Sequence, residues 1–279
     1  MGYKIIVDSC GELTPEMKAS GHFLTASLSI DLDDYHIVDD ETFDQKTFLE
    51  RVAASPNCPK SSCPSPETYM EAYCCEEEHV YAVTLSAELS GSYNSAVLGK
   101  SLYHEEYGSK DIYVFNSRSA SVGETLIALK IAECEEEGMG FEEIVAKVEA
   151  YIEEQHTFFL LETLETLRKN GRLTGIKAAV ATALNIKPVM GATTQGTICQ
   201  LGQARGMKKA LIRLADEVAK QTVRAEGKIL AISHCNCPAR ARELKKLLLE
   251  RISPRDVVVL DTAGISSMYA SDGGVIVVI

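Results

Sequence analysis

Residues 86–95 carry the side chains best suited to bind an anion. The segment reads Ser-Ala-Glu-Leu-Ser-Gly-Ser-Tyr-Asn-Ser, with four serine hydroxyls and one glycine. Residues 80–85 before it have the composition of a strand, and residues 93–102 carry apolar side chains at helical spacing. The hydroxyls therefore lie at a helix N-terminus, where unpaired backbone N–H groups and the helix dipole can hold a carboxylate or a phosphate. The alternative is an ordinary serine N-cap.

Two other predicted strands also end in hydroxyl-bearing turns. Asp8 and Ser9 follow the first predicted strand, residues 3–7, and the turn 116–121 (Asn-Ser-Arg-Ser-Ala-Ser) follows the predicted strand 111–115. In an open α/β sheet such turns collect at the carboxyl ends of the strands, where ligands bind. The pattern thus predicts a polar site shared by three turns. For Asp8 and Ser9, capping of the following turn is an equally good interpretation.

A catalytic site is the rival hypothesis. The chain has no Gly-x-Ser-x-Gly elbow, no Gly-rich dinucleotide fingerprint and no phosphate loop ending in Gly-Lys-Ser/Thr. Of its six histidines, only His234 occupies a clear strand-end loop. Because the members of a catalytic triad meet in space rather than in sequence, an enzyme that uses Asp8, Ser90 and His234 on a small phosphate or acyl ester stays open.

Strand and helix patterns alternate along the first half of the chain, which is typical of an α/β fold. Residues 55–66 contain four of the eight prolines, so we expect a loop without regular structure there. The other predicted elements are a strand at 3–7, a helix at 14–20, an extended segment at 22–30, a hairpin around 35–38, a helix at 47–54, a helical run at 67–78, a strand at 80–85, a helix at 93–102, a strand at 111–115, and helices at 124–137 and 141–155.

The second half repeats this alternation after a boundary predicted near His156. Lys208, Lys209 and Arg213 give it a local basic face, for which a solvated surface helix is the alternative. The predicted elements are a strand at 157–161, a helix at 164–170, a turn at 171–175, a helix at 176–184, a hairpin of 189–192 with 197–201, helices at 207–221 and 239–251, and strands at 228–233, 256–260 and 274–279.

Size and charge limit the function classes. With 279 residues, 46% of them hydrophobic, the chain is long enough for two domains, which we predict at 1–156 and 157–279. A net charge of -12 argues against nucleic acid as a partner. No stretch approaches a membrane span, and the N-terminal residues resemble a strand rather than a signal peptide, so we expect a cytoplasmic protein.

Nine cysteines raise the question of disulfides or a metal site. The number is odd and the chain is large, which favours free thiols. His234-Cys235-Asn236-Cys237 comes closest to a ligand cluster, but its spacing matches no standard zinc pattern. We therefore expect no metal and no cofactor.

Several segments, in one order over nearly the whole length, resemble the DegV family of fatty-acid-binding proteins. The segments after residue 160 are the most specific. The matching segments are Ile5-Ile6-Val7-Asp8-Ser9, Leu13-Thr14-Pro15-Glu16, Lys60-Ser61-Ser62-Cys63-Pro64-Ser65-Pro66, Leu89-Ser90-Gly91-Ser92-Tyr93, Asn116-Ser117-Arg118, Glu162-Thr163-Leu164, Leu167-Arg168-Lys169-Asn170-Gly171-Arg172, Leu184-Asn185-Ile186-Lys187-Pro188 and Arg205-Gly206-Met207-Lys208-Lys209-Ala210.

The resemblance implies two α/β domains with a tunnel between them that holds one long-chain fatty acid such as palmitate or oleate. It implies a carrier rather than a catalyst, which presents the acid to a separate ATP-dependent fatty acid kinase for acyl-phosphate formation; transient contact with a membrane surface stays open. By position, the carboxylate site is Ser61, Ser62, Ser90 and Gly91. Further head-group or partner contacts are Asp8, Ser9, Arg172, Arg205 and Tyr269.

The chain departs from the family pattern at three positions. Ser61 stands where the family usually has Thr, which keeps the hydroxyl, and Cys63 stands where it usually has Gln. Tyr269 replaces the usual His, so this position can donate a hydrogen bond but cannot carry a positive charge. A helix terminus contributes about 0.3–1 kcal/mol to anion binding and each buried methylene about 0.8 kcal/mol. The acyl chain must therefore supply most of the affinity.

Overall fold

The computed structural model of the chain describes residues 2–173 and 185–279. The predicted helix 176–184 and the last two residues of the predicted turn 171–175 lie outside the described residues.

The described residues form thirteen strands. In chain order these are β1 (Tyr3–Asp8), β2 (Phe23–Ala26), β3 (Ser29–Leu32), β4 (Tyr35–Val38), β5 (Lys60–Ser62), β6 (His79–Thr84), β7 (Asp111–Asn116), β8 (Thr157–Leu160), β9 (Ile186–Ala192), β10 (Ile198–Arg205), β11 (Ile229–His234), β12 (Asp256–Asp261) and β13 (Val275–Val278).

Ten α-helices belong to the same part of the chain. They are α1 (Pro15–Ser20), α2 (Gln45–Ala54), α3 (Pro66–Tyr73), α4 (Ser92–Tyr107), α5 (Val122–Glu136), α6 (Phe141–Glu154), α7 (Glu165–Lys169), α8 (Met207–Gln221), α9 (Pro238–Leu249) and α10 (Gly264–Ala270). None of them is long and apolar enough to cross a membrane.

The first sheet is parallel and has the strand order β2-β1-β6-β7. All six residues of β6 are buried, the polar His79 and Thr84 at its two ends included, because helices cover both faces of a parallel sheet. The three hydroxyl-bearing turns follow β1, β6 and β7, so they meet at one edge of this sheet. The predicted α/β fold is confirmed.

The second half forms a mixed six-stranded sheet with the order β10-β9-β8-β13-β11-β12. β11 and β12 are parallel, and the other pairs are antiparallel. All of its strands follow residue 156 and all strands of the other sheets precede it. This segregation favours the predicted boundary near His156, which remains a prediction.

A third sheet, with the order β4-β3-β5, corrects two predictions. The extended segment 22–30 splits, because β2 joins the parallel sheet while β3 turns away to pair with β4 and β5. The proline-rich segment 55–66 does contain regular structure. Its residues Lys60–Ser62 have no proline among them, so their backbone can pair with β3.

The helical run predicted at 67–78 is also too long. α3 ends at Tyr73, and Cys74 terminates it with a backbone N–H that donates to Glu71 O. Glu76, Glu77 and Glu78 would place three negative charges at the negative end of the helix dipole, which disfavours its continuation. Cys74 and Cys75 therefore lie beyond the helix rather than on it.

Two helices connect the halves. α5 packs against β1 and β6 of the parallel sheet and also against β11 and β13 of the six-stranded sheet, and its residues from Val122 to Ala128 are all buried. α10, although it comes from the second half, packs Ile265 and Met268 into the core beneath the three-stranded sheet. The space between the halves is therefore lined by both.

Candidate functional site

The turn between β6 and α4 is held in place by a buried carboxylate. Asp8 Oδ2 accepts hydrogen bonds from Leu85 N (2.9 Å) and from Ser92 Oγ (2.6 Å), and Asp8 Oδ1 accepts one from Cys10 N (3.1 Å). Asp8 thus joins the turns that follow β1 and β6. It is fully buried and is not among the residues that line the cavity described below, so its predicted contact with a ligand or partner remains a prediction.

Within the turn after β6, backbone hydrogen bonds fix the orientation of Ser90. Its N–H donates to Ser86 O at 3.1 Å, and its Oγ accepts from Ser92 N at 3.2 Å. Gly91 is the N-cap residue of α4, and no side chain satisfies the cap from that position. The N-cap position is therefore not a serine. The hydroxyl of Ser90, one residue before Gly91, accepts a hydrogen bond from the first turn of α4 instead.

Pairing of β5 with β3 decides which hydroxyl of the Ser61-Ser62 pair faces inward. Ser61 pairs with the buried Ile30, and its Oγ shares a hydrogen bond of 3.0 Å with Tyr269 Oη. Ser62 points the other way and is exposed, because successive side chains alternate across a strand. Burial raises the pKa of Tyr269, so its hydroxyl stays protonated at neutral pH.

Arg172 brings a positive charge to the same place. Its Nε donates to Leu89 O at 3.0 Å and its Nη1 to Asn170 O at 2.6 Å. Its guanidinium carbon lies 5.9 Å from the centre of the Tyr269 ring. Arg172, Tyr269, Ser61 and Ser90 therefore form one cluster, which we call the polar cluster.

The polar cluster forms part of the wall of a cavity between the two halves. Together with the open space at its mouth, the cavity spans about 840 Å³. Most of its lining is apolar and comes from both halves: Leu28, Leu85, Leu89 and Ala120 from the first, and Phe159, Leu161, Leu167, Ile198, Ile265 and Ile276 from the second. Such a lining suits a ligand with one anionic end and an apolar body.

The other predicted site residues lie outside the cavity lining. Gly91 is exposed beside Cys63, since a Cβ on Gly91 would lie 3.2 Å from Cys63 Sγ. Ser9 is buried and its Oγ accepts a hydrogen bond from Leu28 N. Arg205, at the end of β10, is exposed. The assignment of ligand contacts to Ser62, Gly91, Ser9 and Arg205 therefore remains a prediction.

The alternative catalytic trio does not assemble among the described residues. His234 is buried at the end of β11, with Nδ1 3.2 Å from Asp261 Oδ1, and it does not line the cavity. No hydrogen bond between described residues joins Ser90 to Asp8 or to His234. Ser90 has no base next to it in this arrangement.

Arg118 was missed as a site residue by sequence reasoning. It lies in the turn after β7 and lines the cavity together with Ser119, Ala120 and Ser121. The signal was present, since Arg118 belongs to a segment that carries the family resemblance and it is the one cation in a serine-rich turn after a strand. Spacing alone could not show that this turn reaches the turn that contains Ser90.

Carboxyl groups are buried behind the cavity. Burial raises the pKa of Glu12 to about 7 and that of Asp39 to about 6. It also raises the pKa of Asp8 and, together with the nearby charge of Asp8, that of Glu124. Despite these acids, no group of three or more His, Cys, Asp or Glu residues in 2–173 and 185–279 is placed to hold a metal ion. All nine cysteines are free.

Comparison with known proteins points to one family. The family model described as DegV family COG1307 matches residues 3–279. A DegV domain-containing protein of Streptococcus pneumoniae is 34% identical over 280 residues, which cover 99% of this chain and 98% of the relative.

Two solved structures are similar along the whole chain. A DegV family protein from Ruminococcus gnavus, with vaccenic acid, is 64% identical, covers 99% of each chain and has a TM-score of 0.98. The Fatty Acid Kinase (Fak) B3 protein of Streptococcus pneumoniae, loaded with linoleic acid, is 33% identical, covers 100% of this chain and 99% of its own, and has a TM-score of 0.89.

Proposed function

Because this chain belongs to the DegV family, we propose that it binds one long-chain fatty acid between its halves and presents the carboxylate to a separate ATP-dependent fatty acid kinase. The observation that carries the proposal is the apolar cavity with the polar cluster on its wall. Its similarity to a protein with vaccenic acid and to a Fak B3 protein loaded with linoleic acid supports both the ligand and the partner.

The polar cluster supplies what a carboxylate needs. Ser61 and Ser90 offer hydroxyl donors, and Arg172 offers a charge that Leu89 O and Asn170 O already orient. A charge-assisted hydrogen bond of this kind is about twice as strong as a neutral one. Asp8 acts through Ser92 and Leu85 as a positioning residue rather than as a contact of the ligand.

The apolar lining supplies most of the affinity. Each methylene that leaves water contributes about 0.8 kcal/mol, so sixteen carbons give on the order of 10 kcal/mol before the costs of association. The head group then fixes which end of the ligand faces the mouth of the cavity.

The kinase performs the chemical step. A carboxylate oxygen forms a bond to the γ-phosphorus of ATP, the bond from this phosphorus to the β–γ bridging oxygen breaks, and ADP leaves with the electron pair. The role of this chain is to hold the carboxylate oxygen where the kinase can reach it, while the apolar wall keeps water away from it. It therefore acts as a carrier and not as the catalyst.

Lipid extraction and native mass spectrometry of the purified protein test the ligand. We expect one fatty acid per chain, or uptake of added palmitate or oleate. Replacing both head-group hydroxyls, in Ser61→Ala with Ser90→Ala, should weaken palmitate binding about thirtyfold, since two hydrogen bonds of about 1 kcal/mol each are lost. Ser101→Ala, at an exposed position of α4, is the matched control. A protein that neither retains nor takes up a fatty acid would refute the proposal.

A second experiment tests the partner. Arg205 is exposed at the start of the basic segment that leads into α8, where it can meet an acidic surface. We expect Arg205→Glu to lower acyl-phosphate formation by the fatty acid kinase of the organism that encodes this chain, while palmitate binding stays unchanged. Arg242→Glu, at an exposed position of α9, should leave both unchanged. Equal loss of acyl phosphate in the two variants would contradict docking through Arg205.

A further inference from the structure

Arg118 is tied to the same turn that presents Ser90. The side-chain oxygen of Asn116 accepts one hydrogen bond from Arg118 N and another from Ala87 N, both at 3.1 Å. Ser86 N in turn donates to Ser119 O at 2.8 Å. The turns after β6 and β7 thus form one unit, and Arg118 lies next to the turn that contains Ser90.

Packing holds Arg118 in an unusual backbone conformation. Its φ of 51° lies in the left-handed region, which residues with a side chain seldom adopt. Gly196 packs directly on it, since a Cβ on Gly196 would lie 2.8 Å from Arg118 Cα. Gly196 O also accepts a hydrogen bond from Ser86 Oγ at 2.9 Å. Both halves of the molecule therefore fix this arginine at the cavity.

No described residue neutralises the charge of Arg118. Arg118 is half-buried, and its guanidinium makes no hydrogen bond or ion pair with another described residue. Among the described residues that line the cavity, Arg118 and Arg172 are the two with a formal charge. They flank the turn 86–90, because Arg172 binds Leu89 O while Asn116 ties the backbone of Arg118 to Ala87.

Two arginines exceed what a carboxylate requires. A fatty acid carries one negative charge, whereas a phosphate monoester carries about -1.5 to -2 at neutral pH and offers three acceptor oxygens. The planar guanidinium matches phosphate oxygens in a bidentate geometry. Tyr269, which stays neutral, adds no charge to this pair.

We propose that Arg118, together with Arg172, forms a phosphate subsite that retains the phosphorylated form of the bound fatty acid. This inference rests on the proposed function, because it takes the acyl phosphate as the product that forms in the cavity. Arg118 then discriminates product from substrate: it contributes to binding of the acyl phosphate and little to binding of the fatty acid.

Three ligands with the same sixteen-carbon chain test this subsite at pH 7.5, below the concentrations at which they form micelles. Palmitate is a planar monoanion, hexadecyl sulfate a tetrahedral monoanion, and hexadecyl phosphate a tetrahedral species near -2. Dissociation constants are measured by calorimetry for wild type, for Arg118→Gln and for the exposed control Arg242→Gln. Circular dichroism establishes that each variant is folded.

We expect Arg118→Gln to weaken the binding of hexadecyl phosphate at least tenfold, that of hexadecyl sulfate several-fold and that of palmitate less than twofold. Arg242→Gln should change none of the three dissociation constants. The subsite is refuted if Arg118→Gln weakens all three ligands equally or none of them. It is also refuted if the wild type binds palmitate but not hexadecyl phosphate. Absence of palmitate binding in the wild type would instead refute the proposed function.

Discussion

At the scale of single residues, the contact between Ser61 and Tyr269 joins the halves of the molecule at the head-group end of the cavity. Ser61 comes from β5 and Tyr269 from α10, and their hydroxyls are 3.0 Å apart. The ring of Tyr269 also faces the guanidinium of Arg172. Tyr269 therefore orients both a hydroxyl and a cation of the polar cluster.

Tyr269→Phe keeps the ring and removes the hydroxyl. We expect the free energy of unfolding to fall by about 1 kcal/mol, and palmitate to bind several-fold more weakly, because Ser61 loses its partner and its orientation. Urea unfolding and calorimetry measure the two effects. Tyr107→Phe, at an exposed tyrosine, is the control. Unchanged palmitate binding in Tyr269→Phe would show that Ser61 does not depend on this contact.

At the scale of elements, a carboxylate from the first half caps a helix of the second. Asp39 Oδ1 accepts from Gly264 N at 2.7 Å and Asp39 Oδ2 from Ile265 N at 2.8 Å, so Asp39 binds the first turn of α10. α10 supplies Ile265, Ser266 and Tyr269 to the cavity. The position of this short helix thus depends on the loop that follows β4.

Asp39→Ala removes both of these hydrogen bonds. We expect a loss of about 2 kcal/mol in the free energy of unfolding, since a capping residue is lost and two buried N–H groups stay unpaired. Palmitate binding should weaken as well, because α10 carries part of the cavity wall. Thermal unfolding and calorimetry test this against Asp34→Ala, an exposed control. Equal stability of the two variants would contradict the capping role.

At the scale of the whole molecule, closing the two halves on each other buries carboxyl groups. Glu12 Oε2 accepts a hydrogen bond from Ser121 Oγ, which also bonds to Ser233 Oγ of the second half. Burial raises the pKa of Glu12 from 4.5 to about 7. The folded state therefore binds a proton that the unfolded state has already released at pH 5 to 7, and stability falls as pH rises through this range.

Glu12→Gln removes this titration. From the shift in pKa we expect the ionisation of Glu12 to lower the free energy of unfolding of the wild type by about 2 kcal/mol between pH 5 and pH 7.5. Urea unfolding at the two pH values measures this loss. The loss should be smaller by this amount in Glu12→Gln than in the wild type. Glu41→Gln, at an exposed position, should behave as the wild type does. An identical pH dependence in all three proteins would show that Glu12 ionises normally.

The sequence alone determined the parallel strands and the polar turns that follow them. The strands β1, β6 and β7 are apolar enough to be buried, and the polar residues after each strand mark the edge where a ligand site forms. Ser61, Ser90, Arg172 and Tyr269, inferred from the resemblance, meet in the structure. These features depend on local composition or on motifs, both of which can be read along the chain.

The remaining features could not be predicted from the sequence, because they depend on contacts between distant segments. β5 exists because β3, about thirty residues earlier, pairs with it, and the register of that pair turns Ser61 inward and Ser62 outward. The place of Arg118 beside the turn that contains Ser90 depends on Asn116 and Gly196, which belong to different halves of the molecule. The cavity itself is the space between the halves, so no single segment could have predicted its lining.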